Sequence, residues 1–115
     1  MAKREPRAQV VWAPSAERDL GRLYAYLEAD SPQRAARMVS RVVRAVDLLE
    51  FQPEMGAIAE DVEPLGRCRH VTIAPLRVIY RIAGGHVQIL RIWDSRRDPK
   101  SLHVPNPPAG DESDQ

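Results

Sequence analysis

The sequence predicts a small α+β domain: an N-terminal strand, an antiparallel helical hairpin, and then a mostly antiparallel sheet of three further strands. Three observations carry this. Two stretches with apolar residues at helical spacing are joined only by Ser31-Pro32. One short β-branched run precedes them, and three β-type runs come after them at hairpin spacing.

The first strand is "AQVVWAP" (8–14), short, β-branched and ended by proline. In "SAERDLGRLYAYLEAD" (15–30), Ala16, Leu20, Leu23, Tyr24 and Leu27 fall on one helical stripe. Ser15 is placed to cap that helix, and Glu17 and Asp19 suit the positive end of its dipole. The second helix repeats the logic: Ser31 caps, and Pro32 takes the first helical position, where its missing N–H costs nothing. It runs to about Phe51. Ala35, Met38, Val39, Val42, Val46 and Leu49 form its buried stripe, while Arg34, Arg37, Arg41 and Arg44 face water. So short a link makes the two helices antiparallel neighbours.

"QPEMG" (52–56) breaks the second helix, and the acidic stretch to Gly66 reads as a loop with room for one extra short strand. Further strands are expected at about 67–73, 76–83 and 86–93. Ala74-Pro75 and Gly84-Gly85 separate them, and Gly-Gly supplies the positive φ of a tight turn. The expected organisation is a flexible N-terminus (1–7), one folded domain (8–103) and a disordered Pro-rich acidic tail (104–115).

A chain of 115 residues with 43% apolar side chains supports one ordinary core. The single cysteine, Cys68, excludes an internal disulfide and a Cys-rich metal site, and favours a reducing compartment. No apolar run approaches the roughly 18 residues that span a bilayer, and "MAKREPRAQ" lacks the apolar stretch of a secretory signal. The expectation is a cytoplasmic protein with no membrane partner.

The net charge of +1 hides an uneven distribution. Residues 45–66 carry Asp47, Glu50, Glu54, Glu60, Asp61 and Glu63 and no lysine or arginine. Residues 67–100 carry Arg67, Arg69, Arg77, Arg81, Arg91, Arg96, Arg97 and Lys100 against Asp94 and Asp98. A basic C-terminal third points to an anionic partner.

The two turns fix a register. Gly84-Gly85 sets Ala83 opposite His86, Arg81 opposite Gln88, Ile79 opposite Leu90 and Arg77 opposite Ile92. Ala74-Pro75 sets Thr72 opposite Arg77 and His70 opposite Ile79. Alternation then puts Val71, Ile73, Leu76, Val78, Tyr80, Ile82, Val87, Ile89 and Trp93 under the helices, with Arg69 and Arg91 snorkelling at the margins. The other face holds Cys68, His70, Thr72, Arg77, Arg81, His86 and Gln88, with Ile79, Leu90 and Ile92 among them, and is expected to be wet. Arg96 and Arg97 reach the rim of that surface, making a basic face of Arg77, Arg81, Arg96 and Arg97. Arginine forks onto phosphate or carboxylate, which is why this cluster draws notice.

Over about residues 9–99 the chain resembles the RelE/ParE family of toxins from bacterial type II toxin–antitoxin pairs. The resemblance is carried by "VVWAPSAERDLGRLYAYLEADSP", "AARMV", "LLEFQPEMG", "RHVTIAPLRVIYRI" and "VQILRIWDSRRDP", in that order. It implies growth inhibition by the free toxin, a role in plasmid stabilisation, and neutralisation by a cognate antitoxin.

Two activities live on this fold. RelE-like members cut mRNA on the ribosome by attack of the RNA's own 2′-hydroxyl, with no metal or cofactor. Carried over by motif, the phosphate-stabilising arginines fall on Arg77 in "LRVIYRI" and on Arg97, with Arg96 beside it. The two strand lysines of that set fall on His70 and Thr72, and His103 is nearest in spacing to the tail tyrosine. In this reading Arg77, Arg97 and His70 are the catalytic candidates. ParE-like members poison DNA gyrase without that set. The "SP" joint, the "P.MG" after the second helix and the "RRDP" ending resemble them, and the missing lysines and tyrosine favour this reading. In either case the antitoxin is expected on outward positions of the hairpin and at the sheet edge after Trp93, with Arg91, Trp93 and Arg96 as contacts. A plain nucleic-acid-binding module is a third reading, supported by the basic face but short of aromatics for base stacking, at 5% of the chain.

Overall fold

A computed structural model describes residues 5–62 and 67–105. The expected disordered tail and flexible N-terminus fall largely outside those residues, as does the end of the acidic loop. The elements are β1 (Gln9–Trp12), α1 (Pro14–Asp30), α2 (Pro32–Phe51), β2 (Ala57–Ile58), β3 (Arg69–Ile73), β4 (Leu76–Ala83) and β5 (His86–Asp94), with single 3₁₀ turns at Pro53–Met55 and Pro99–Ser101. The sheet order is β1-β5-β4-β3-β2, with β1 parallel to β5 and the other pairs antiparallel. The expected α+β class and helical hairpin are therefore present, and the extra short strand in the acidic loop is β2.

Local chemistry places the ends. Ser31 accepts the Arg34 backbone N–H at 3.2 Å and caps α2, with Pro32 next in the chain. Ser15 is not the cap of α1. Pro14 opens the helix after Ala13, and the Ser15 hydroxyl instead donates to Leu90 O at 2.7 Å. The "PEMG" turn is held from beneath: Tyr80, fully buried in β4, donates to Pro53 O at 2.7 Å and accepts the Gly56 N–H at 2.9 Å. A Cβ at Gly56 would lie 2.6 Å from that hydroxyl, so the approach demands glycine.

The main core lies between hairpin and sheet. Ala16, Met38, Val42, Val46 and Leu49 meet Leu76, Val78, Tyr80, Val87, Ile89 and Ile92, with Leu20, Leu23, Tyr24 and Leu27 packed around them. Ile82 shares this side but is 37% exposed.

Register matches the expectation from Ala83↔His86 to Tyr80↔Ile89 and then departs from it. Ile79 pairs with Arg91 and Arg77 with Trp93, so Leu90 is an extra residue, a β-bulge. The slip exchanges the faces of the β5 residues beyond it. Ile92, expected on the outer face, packs under the helices, whereas Trp93, expected there, moves to the opposite side. The Ser15 hydroxyl on Leu90 O fastens the bulge to the start of α1.

Nor is the opposite face open. Ala59, Val62, Cys68, Ile79, Leu90 and Trp93 form a second buried cluster, with Ala13, Leu102 and Val104 against it. Burial pushes the Cys68 thiol pKa up. The segments either side of the sheet cover a surface that alternation alone leaves wet.

Candidate functional site

Arg77 and His70 meet on one patch beside the second core, and Arg97 lies over Trp93 of that core. Arg77 projects from β4 with its side chain 12% exposed, and it binds the Asp61 carboxylate through two parallel contacts of 2.8 Å each. Its Nε donates to His70 Nδ1, on β3, at 3.0 Å. His70 is thus an acceptor at Nδ1, which puts the proton of the neutral ring on Nε2. Arg97 lies over the Trp93 ring, 4.4 Å from its centroid, and Trp93 is the cross-strand partner of Arg77. Thr72 faces Arg77 from β3.

The electrostatics result from these contacts. The Arg77 hydrogen bonds hold the Asp61 pKa below the ordinary carboxylate range. Burial, then the neighbouring Arg77 charge, holds the His70 pKa below its ordinary 6.5. The arginine and histidine are brought together, but the fork is already filled by a carboxylate.

The remaining candidates lie elsewhere. Arg81 stands four positions along β4 from Arg77, about 13 Å at strand spacing. Arg96 does not share a surface with Arg97: it pairs with Asp94 at 2.6 Å and turns to the hairpin side. Both residues lie in the turn that follows β5, which sends one side chain to each side of the sheet. Arg91 and Trp93, expected as contacts for a partner, are engaged internally. Trp93 is 1% exposed. Arg91 grips Asp19 of α1 at 2.7 and 3.0 Å, donates to His103 O at 2.6 Å, and lies 5.4 Å from the Trp93 ring centroid.

Asp61 and Asp19 are the site residues that sequence reasoning missed. Asp19 carried a signal, because it falls on the buried stripe of α1, where a carboxylate requires a cation. It also accepts the Ile92 N–H at 3.0 Å, where β5 has run past the end of β1. Asp61 carried none beyond belonging to an acidic run.

On the hairpin side a groove of about 520 Å³ opens between α1, α2 and the β3–β4 turn. Leu23, Leu27, Met38, Ile73 and Leu76 give it an apolar floor, and Arg34, Arg37, Arg41 and Arg96 rim it. Tyr26 stands at its edge, 77% exposed. Arg34 pairs with Asp30, whereas Arg37 and Arg41 have no ion-pair partner among the described residues. Among the described residues no cluster of His, Cys, Asp and Glu could hold a metal, and no helix is long and apolar enough to cross a membrane.

A hairpin laid across a mixed sheet, with arginines at the end of β5, is the architecture of RelE/ParE-like toxins. A solved structure described as "Chromosomal ParDE TA system from P. aeruginosa" shares it, with TM-score 0.62 and 27% identity, covering 75% of this chain and 94% of that one. "Putative toxin Y4kP" of Sinorhizobium fredii is 42% identical over 50 residues, 44% of this chain and 52% of that protein. The chain thus spans about half the length of that curated relative. The family described as "ParE toxin of type II toxin-antitoxin system, parDE" matches residues 10–99. The chain belongs to the ParE toxin family of type II toxin–antitoxin systems.

Proposed function

We propose that this chain is a ParE-like toxin that inhibits DNA gyrase and is neutralised by a cognate antitoxin seated in the arginine-rimmed groove. The observation that carries the choice of target is the state of Arg77. Ribonuclease chemistry needs that guanidinium free for phosphate and a proton-transferring side chain beside it. Here the guanidinium is spent on Asp61 and His70, and Thr72, which has no group that titrates, stands at a lysine position. Membership of the ParE family supports the same reading. For the antitoxin, an apolar floor rimmed by arginines suits an amphipathic acidic segment that folds as it binds.

The test is controlled expression without antitoxin, with translation and DNA breakage followed in parallel. DNA-damage signalling and filamentation with translation continuing are the expected outcome. Codon-phased mRNA cleavage that disappears in Arg77→Ala would instead establish the RelE-like activity and end the gyrase reading.

A further inference from the structure

We propose that the acidic segment 111–114 of this chain docks on the arginine rim of the hairpin groove and occupies it when no partner is bound. Arg18, Arg22, Arg37, Arg41 and Arg44 of the hairpin are exposed and have no ion-pair partner among the described residues. Arg37 and Arg41 stand about one helical turn apart at the groove, and Arg96 lines it with them. The stretch that follows the described residues has the opposite sign: residues 106–115 carry Asp111, Glu112 and Asp114 and no lysine or arginine. The other side of the sheet offers that stretch less. There Arg77 is held by Asp61, Arg91 by Asp19, and Arg97 lies on the Trp93 ring.

The reach is sufficient. Pro105 lines a pocket with Trp12, Ala13 and Pro14, so the chain leaves the described residues beside the first residue of α1. From Pro14 the groove residues Leu23 and Leu27 lie about 14 and 20 Å along the helix. An extended chain from Pro105 spans about 20 Å to Asp111 and about 30 Å to Asp114. Arg18 and Arg22, both exposed on α1, extend the positive field between the two points. Residues 109–115 have no apolar side chain larger than alanine, so the segment takes the charged rim and leaves the apolar floor uncovered. Contacts between exposed charges are individually weak and screened by salt, and the tether offsets this with an effective concentration on the order of millimolar. A partner that brings apolar groups for the floor as well as acids for the rim displaces it. This inference goes beyond the gyrase and antitoxin readings and stands or falls separately from both.

The experiment uses the full chain with a nitroxide on Ser113→Cys, the Cys68 thiol being 1% exposed and out of the reagent's reach. Methyl NMR signals are followed at about 10 mM and about 1 M salt, where screening lengths are about 30 and 3 Å. Met38 and Ile73, in the groove, should broaden at low salt and recover at least about half of their intensity at high salt. Val62 and Ile79, on the other side of the sheet, should stay sharp. The broadening should vanish when the labelled chain also carries Asp111→Asn/Glu112→Gln/Asp114→Asn, and in Arg37→Glu/Arg41→Glu. Should the arginine variant unfold, the neutralised segment, which alters no described residue, reads the same contact. Absent or uniform broadening, broadening centred on Val62, or broadening indifferent to salt or to loss of the acids would overturn the proposal. So would equal broadening when the nitroxide and the observed methyls sit on different molecules, because that assigns the contact to a second copy.

Discussion

Tyr80 satisfies two backbone groups of the "PEMG" turn from a fully buried position, donating to Pro53 O and accepting from Gly56 N–H. Removing the hydroxyl leaves both without a partner in a dry environment, which costs about 1–3 kcal/mol. Tyr80→Phe should show that loss in urea unfolding. Gly56→Ala should lose at least as much, because the new methyl meets the same hydroxyl and the His70 carbonyl at 2.6 and 2.8 Å. A second residue-scale prediction concerns pH. The pKa values of His70 and Asp61 are both held down in the folded chain, the first by burial and the second by Arg77. The unfolded chain therefore binds the extra proton first in each case, and stability is lost as pH falls. The His70 step begins below its ordinary 6.5, and the Asp61 step below 3.8. Melting temperature against pH should show both declines, and His70→Asn should abolish the upper one.

At the scale of the element, the Leu90 bulge decides what β5 delivers to each side. Deleting Leu90 would restore an unbroken ladder and drive Trp93 under the helices and Ile92 out of them. The deletion variant should lose cooperative unfolding by circular dichroism, whereas Leu90→Ala should fold with a loss of about 2–5 kcal/mol. Asp19→Ala is expected to cost about 3–5 kcal/mol, since it strands the partly buried Arg91 and leaves the Ile92 N–H without its acceptor. Denaturant titration measures it. These elements also show how far local chemistry reaches. Ser31-Pro32, the helical stripes and the Gly84-Gly85 turn each declare themselves in the sequence, and strand pairing was legible from that turn back to Tyr80. The bulge was not. It is held by the Ser15 hydroxyl some 75 positions away, and no periodicity along β5 announces a tertiary anchor. The pairing of His70 with Arg77 was legible as residues on one face, but its occupation by Asp61 was not, because that contact depends on how the acidic loop lies over the sheet.

The whole molecule has two layers of apolar contact, one on each side of the sheet, and each comes to the surface beside arginines. On the hairpin side, charge reversal at Arg37 and Arg41 should weaken antitoxin binding about tenfold at low salt, chiefly by slowing association, and the difference should shrink as salt rises. Stopped-flow association at two ionic strengths checks it. The arginine pair at the tip of β5 serves both layers at once: Arg96 borders the groove, and Arg97 lies on Trp93 at the back. The dipeptide behaves as two instruments in one holder. Substituting Arg96 should yield toxins that escape their neutraliser while still arresting growth, and substituting Arg97 should leave neutralisation intact.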